Sequence, residues 1–150
     1  MGKGLIKMAY AYCNPTQIRP LVGSHTRKGK AGEDFSLGTV VHKNADGDWV
    51  GAWADEEANA SGLIGICVSG AKGNDFVLEG EEIDVVTYGP VAGFYELDVT
   101  KTYYLSVDWP GHMVDTPPTL IRAVGQPESE QIFYVNPDAA PVEAVADSSN

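Results

Sequence analysis

The chain has 150 residues, a formal net charge of −11 and a hydrophobic fraction of 43%. This length is that of one domain with a single modest core. The negative charge argues against a nucleic-acid partner. The longest apolar run, 63–68, is far too short to cross a bilayer, so we expect no membrane partner either.

The charges are divided along the chain. The first 32 residues contain six basic and no acidic residues, whereas the remainder contains four basic and all 21 acidic residues. The opening stretch is also rich in Gly and Pro and shows no sustained helical or alternating period. Such a segment cannot offset its ordering entropy unless it lies on another surface. We therefore predict an extended basic N-terminal arm over residues 1–34 that binds a partner protein.

Two kinds of side chain are expected to hold this arm on its partner. Apolar side chains would fill partner pockets, and basic ones would meet carboxylates. They are Tyr10, Tyr12, Ile18, Arg19, Leu21, Val22, Arg27, Lys28 and Lys30. The acidic stretches 55–57 and 79–84 could receive the arm of a neighbouring subunit, although solvated loops are the simpler interpretation. The pattern leaves open whether the arm docks by salt bridges or by strand addition.

From residue 35 the pattern changes to short β-type segments between Gly, Pro, Asn and Asp. The predicted strands are 37–43, 48–54, 63–68, 83–88 with a continuation over 91–95, 102–107, 112–114, 120–124 and 131–135. A hairpin turn is predicted at 44–47 and a single helical turn, capped by Asp55, at 55–60. We predict an all-β fold over 35–137, an antiparallel β-sandwich or small β-barrel. Residues 138–150 are predicted to be a flexible, disordered acidic tail.

Several of these segments, taken in order, resemble a known group of proteins. The most specific are Thr102-Tyr-Tyr-Leu-Ser-Val-Asp-Trp-Pro-Gly111 and Asp115-Thr-Pro-Pro118, with shorter signals at 38–41, 65–68, 88–91, 122–125 and 132–136. This order is similar to a β-domain of tailed-phage virion proteins. The domain occurs in head decoration (cement) proteins, head fibres and tail-fibre modules. The resemblance covers roughly residues 37–137 and leaves the arm outside.

The resemblance implies a phage virion structural protein that binds and stabilises the capsid surface. Its implied partners are the phage major capsid protein and further copies of itself, with a trimer favoured and a dimer possible. The implied location is the capsid exterior of the virion, after synthesis in the host bacterial cytoplasm. The alternative is a receptor- or glycan-binding module of a phage tail fibre, with few copies per particle instead of many.

No pattern in the chain predicts catalysis. The chain has no GxSxG elbow or GxxxxGK[ST] loop, and its three histidines lack metal-ligand spacing. Residues 44–48 resemble part of a calcium loop, but the glycine is misplaced and a hairpin turn is the better interpretation. We expect no enzyme, catalytic residue, cofactor or metal site. A Cys–His or Ser–His pair that meets only in space stays open at this point, and with it a small hydrolase.

Two further groups of residues have competing interpretations. Trp49, Trp53, Tyr103, Tyr104, Trp109 and Tyr134 could form a sugar-stacking platform, but aromatic residues on a β-surface more often serve as core or subunit-interface anchors. The two cysteines, Cys13 and Cys67, are expected to be buried, inert thiols of a protein folded in a reducing compartment.

Overall fold

A computed structural model describes residues 9–144 of the chain. Nearly all of its regular structure is β. The first strands are β1 (Tyr12–Cys13), β2 (Arg19–Pro20), β3 (His25–Lys30), β4 (Phe35–Ser36), β5 (Val40–Lys43), β6 (Trp49–Gly51), β7 (Ile64–Gly70) and β8 (Phe76–Val77). The others are β9 (Glu82–Ala92), β10 (Phe94–Tyr95), β11 (Tyr103–Leu105), β12 (Met113–Val114), β13 (Leu120–Ile121), β14 (Ala123–Pro127), β15 (Ile132–Val135) and β16 (Val142–Glu143). A 3₁₀ turn (Pro15–Gln17) and one short helix, α1 (Glu57–Ala60), complete the described elements. No helix within residues 9–144 has the length and apolar character to cross a membrane.

The strands form one curled antiparallel sheet with three small two-stranded additions. The main order is β12-β11-β14-β15-β9-β7-β5-β6, and β2 and β3 also pair with β9. The additions are β1-β10, β4-β8 and β13-β16. Every named strand pair is antiparallel. The predicted nearly all-β, antiparallel fold is therefore confirmed at this level.

The two ends of the main sheet approach one another at Gly111. Its amide donates to the carbonyl of Ala52 just after β6 (2.7 Å), and its carbonyl accepts from the amide of Val40 in β5 (2.9 Å). Ala54 likewise donates to the carbonyl of Ser106 after β11 (2.9 Å). These bonds join the β11–β12 connection to the β5–β6 end, so the sheet curls around its apolar side chains. The largest of these, Trp49, Tyr103 and Phe133 among them, are fully buried.

The turns follow the predicted chemistry, with one exception. Between β5 and β6 the Asn44 side-chain oxygen accepts from the amides of Asp46 and Asp48, each at 3.0 Å. This confirms the hairpin turn. The single helical turn is also present, but Asp55 does not cap it. The N-cap position belongs to Glu56, whose side chain makes no capping bond, while the Asp55 carboxylate accepts from the side-chain NH₂ group of Asn59 at 2.8 Å.

The central strand β9 is longer than predicted. Gly89 and Pro90, where the sequence predicts a bend, lie inside one strand of 11 residues, Glu82–Ala92. Gly89 has a φ of +111°, and a Cβ there would lie 2.6 Å from the Cα of Ser24. Glycine is therefore required for the turn between β2 and β3 to lie over the strand.

The N-terminal segment does not form a separate arm over the part that the structure describes. β3 pairs with β9 from His25↔Tyr88 to Lys30↔Glu82, β2 pairs with the end of β9, and β1 pairs with β10. The predicted domain boundary at residue 34 is therefore wrong for residues 9–34. The backbone supplies the reason, because a strand can be held by ladder hydrogen bonds without an apolar period in its side chains. Residues 1–8 of the predicted arm lie outside the described residues.

The start of the predicted tail also belongs to the domain. β16 pairs with β13, and the buried guanidinium of Arg122 donates to the carbonyls of Asp138 (2.9 Å) and Ala139 (3.4 Å). The same group donates to the carbonyls of Ala60 (2.8 Å) and Gly62 (2.6 Å). The prediction of a disordered tail is wrong for 138–144, and its remaining residues, 145–150, fall outside the description.

Candidate functional site

Two tyrosines on paired strands begin an exposed aromatic surface. The register of β1 and β10 places Tyr12 directly opposite Tyr95. Their rings stack with centroids 6.2 Å apart and an interplanar angle of 20°. Each side chain keeps 44% of its surface exposed. The pairing thus holds two large rings side by side without burying either of them.

The turn after β11 brings Trp109 and His112 to the same surface. The Ser106 hydroxyl accepts from the Trp109 amide at 3.0 Å, which fixes the turn. The rings of Trp109 and His112 stack 3.5 Å apart, within 9° of parallel. Trp109 lies 5.2 Å from Tyr10 in an edge-on arrangement and 6.3 Å from Tyr12. Burial lowers the pKa of His112, and its hydrogen bond to the Pro110 carbonyl acts in the opposite direction.

We call Tyr10, Tyr12, Tyr95, Trp109 and His112 the aromatic patch. Its rings are held by the backbone pairing and by one another, so little side-chain freedom is left to lose on binding. Aromatic side chains with this exposure and rigidity are the usual anchors of protein interfaces and of sugar-binding surfaces. The patch can therefore bind a ligand by contact area without any chemical step.

The residues predicted to bind a partner through the arm lie in different parts of the structure. Tyr10 and Tyr12 come together in the aromatic patch. Ile18 is 6% exposed and packs inside its own domain, so its prediction as an anchor for a partner is wrong. This side chain packs against Gly38, where a Cβ would lie 3.2 Å from it. Arg19 and Leu21 line a groove next to the patch, and Val22 is fully exposed.

The basic residues of β3 lie apart from the patch, along the first half of β9. Arg27, Lys28 and Lys30 are exposed. Lys28 forms an ion pair with Asp84 of β9 at 2.9 Å. The hydrogen bond to Asp84 raises the pKa of Lys28. Burial favours the protonated form of Asp84, but bonds from Lys28 and Ser69 lower its pKa. A basic segment does meet the acidic stretch 79–84, within one chain.

The aromatic residues considered as a sugar platform do not form one together. Trp49 and Tyr103 are fully buried in the core. Trp53 is half-buried and donates its ring N–H to the Val107 carbonyl at 2.6 Å. Tyr134 contacts Tyr88 on another part of β9. Of that set, only Trp109 reaches the aromatic patch.

The two thiols are both largely removed from solvent, which changes their ionisation. Burial raises the pKa of Cys13 to about 11 and that of Cys67 to about 12. Both are free cysteines, and at neutral pH they are thiols rather than nucleophilic thiolates. Within residues 9–144 no group of three or more His, Cys, Asp and Glu side chains is placed to hold a metal ion.

Sequence reasoning missed Tyr95 and His112 as members of the site. Tyr95 reaches the patch only through its register with β1, and this pairing joins residues about eighty positions apart. Turn signals at Pro110 and Gly111 were visible, but they do not show which ring the following histidine will meet. No protein-family model and no curated protein matches the chain.

Proposed function

We propose that the protein is a non-enzymatic virion structural protein that binds the outer surface of a phage capsid. The observation that carries this proposal is the aromatic patch, where Tyr12, Tyr95 and Trp109 each remain 40–44% exposed. Contiguous exposed aromatic surface is costly in a free protein and marks an interaction site. The order of segments around Tyr103 and Pro118, which resembles phage decoration proteins, supplies the kind of partner.

The proposed mode of docking differs from an arm that wraps a neighbour. The patch is preformed, so binding would cost little ordering entropy. The proposed partners are the major capsid protein and sister copies of this chain, with a trimer favoured and a dimer possible. Many equivalent shell sites would give the attachment its strength through multivalency. We further infer that the curled sheet closes as a small barrel, an inference supported by the hydrogen bonds of Gly111 to both Ala52 and Val40.

Binding to purified shells tests the proposal. Shells assembled from the major capsid protein are pelleted with wild-type protein and with Trp109→Ala and Tyr12→Ala. We expect each substitution to weaken binding by about thirtyfold, the effect of losing one interface anchor. Tyr88→Ala is the matched control, since Tyr88 is 42% exposed but lies outside the patch. Equal binding by all four proteins would reject the patch as the docking surface, and no binding by the wild type would reject the function.

A tail-fibre module that binds a receptor or glycan is the second candidate. The same exposed rings favour it, because aromatic faces also stack on sugars. Counting copies in purified particles separates the two candidates. Many copies on the head support the capsid protein, and a few at the tail support the fibre module.

A further inference from the structure

A polar groove of about 500 Å³ lies next to the aromatic patch. It runs between the turn that precedes β2 and the end of β9, with Tyr95 shared between groove and patch. The polar residues that line it are Asn14, Gln17, Arg19 and Gln131. The groove therefore joins one exposed aromatic ring to three amides and a guanidinium.

The charge of the groove is opposite to that of the molecule. The chain carries a formal charge of −11, yet no carboxylate lines the groove and Arg19 is its single charged side chain. Arg19 forms no ion pair with any residue between 9 and 144. Its one hydrogen bond there, from Nη1 to the Gln17 carbonyl at 3.4 Å, leaves most of the donors of its planar fork free. A free guanidinium in this setting favours an anionic group, and its geometry fits a carboxylate.

The amides offer both donors and acceptors. The side-chain amides of Gln17 and Gln131 make no hydrogen bond to the described part of the chain. The Asn14 oxygen is used by the Thr16 amide (3.1 Å) and hydroxyl (2.8 Å), which leaves its NH₂ group free. Groups that both donate and accept match hydroxyls, and a saccharide carries several hydroxyls around one ring.

The groove is also held in place before any ligand binds. The Asn14 amide donates to the Gly93 carbonyl at 2.8 Å. Gly93 has a φ of +112°, and a Cβ there would lie 2.7 Å from the Gln17 carbonyl oxygen, so the turn that carries the amides rests directly on this glycine. The backbone that carries Asn14 and Gln17 therefore needs no rearrangement on binding, which suits a small polar ligand.

We propose that this groove binds an anionic saccharide of the hexuronic acid type. The Arg19 guanidinium pairs with the sugar carboxylate, the amides of Gln17 and Gln131 bond its hydroxyls, and the exposed ring of Tyr95 stacks on its apolar face. This inference goes beyond capsid docking, because an isolated copy of the protein can bind the sugar whichever part of a virion it occupies.

The test is an NMR titration of the ¹⁵N-labelled full chain with methyl β-D-glucuronide. We expect saturable changes in the chemical shifts of the backbone amides of Gln17, Arg19 and Gln131. The dissociation constant should be about 1 mM or more. Methyl β-D-glucoside, which lacks the carboxylate, and acetate, which lacks the ring, should each bind about tenfold more weakly. Absence of saturable shifts overturns the proposal, and so does equal binding of glucuronide and glucoside or of glucuronide and acetate.

Substitutions locate the site. Arg19→Gln should weaken glucuronide binding about tenfold and leave the weaker glucoside binding unchanged. Arg27→Gln removes another exposed cation, from β3, and should leave both affinities unchanged. Equal losses from the two variants would indicate attraction by net charge and reject the groove. The shell-binding test uses substitutions at Trp109 and Tyr12, which do not line the groove. A failure of sugar binding therefore does not decide the result of the shell-binding test.

Discussion

Strands β3 and β7 lie on either side of the same part of β9, residues 83–86, but they are held there differently. Five consecutive residues of β7, 64–68, are buried, whereas every residue of β3 except the half-buried Gly29 is exposed. The difference shows that strand pairing and side-chain burial are separate sources of order. β7 is fixed by both, and β3 depends on the ladder and on its fit over Trp49.

This difference explains why the N-terminal segment looks like an arm in the sequence. Hydrophobic periodicity reports which side chains enter a core. It does not report backbone hydrogen bonds, which every residue except proline can make. A strand paired at the surface can therefore have the composition of a linker.

Deleting residues 1–32 should have the largest effect, and it tests whether β3 is part of the folded domain as β7 is. The deletion removes β1, β2 and β3 and uncovers the edge of β9 over residues 82–88. We expect the cooperative thermal transition to be lost, as measured by circular dichroism, and the protein to aggregate through the exposed edge. Deletion of residues 1–8 alone removes no described strand and serves as the control. A truncated protein that unfolds at the wild-type temperature would show that the segment is a dispensable arm.

Arg122→Met tests the buried guanidinium that connects residues 60–62 with residue 138. The guanidinium donates to the carbonyls of Ala60, Gly62 and Asp138, and Met fills similar volume but leaves these acceptors unpaired. We expect a loss of about 3 kcal/mol in the free energy of unfolding. The measurement is urea denaturation followed by tryptophan fluorescence. Arg27→Met, at an exposed position of β3, should change it by about 0.5 kcal/mol or less. Similar losses of unfolding free energy in Arg122→Met and Arg27→Met would contradict the structural difference between the buried Arg122 site and the exposed strand β3.

Gly29→Ala tests the fit of β3 over the core. A Cβ at this position would lie 2.5 Å from Nε1 of Trp49, a side chain that is fully buried and cannot move aside freely. Overpacking of this kind should cost about 2 kcal/mol in the free energy of unfolding. Lys30→Ala in the same strand is the control and should be close to neutral. An unchanged urea midpoint for Gly29→Ala would mean that β3 does not rest on Trp49.

Lys28→Ala should have the smallest effect. The Lys28 side chain is 73% exposed, and an ion pair so open to solvent contributes little to stability. We expect the urea midpoint to stay within the error of the wild-type value at both low and high salt. A clear, salt-dependent decrease would instead indicate that charge, rather than the backbone ladder, holds β3 on β9.

The sequence by itself predicted most of the strands between residues 37 and 135, but not the full length of β9. Alternating and continuous apolar segments predicted the buried strands, and the chemistry of Asn44 to Gly47 predicted the hairpin, because both depend on neighbouring residues alone. It also predicted Tyr10 and Tyr12 as partner-binding residues, and both side chains lie in the aromatic patch.

Only the tertiary structure decided which segments meet. The pairing of β3 with β9, the meeting of Tyr12 with Tyr95 and the capture of the 138–139 carbonyls by Arg122 join residues that are far apart in the chain. Such contacts depend on register and on the curl of the sheet. The local sequence does not identify the distant partner, since a backbone amide or an aromatic ring is equally able to pair with many others.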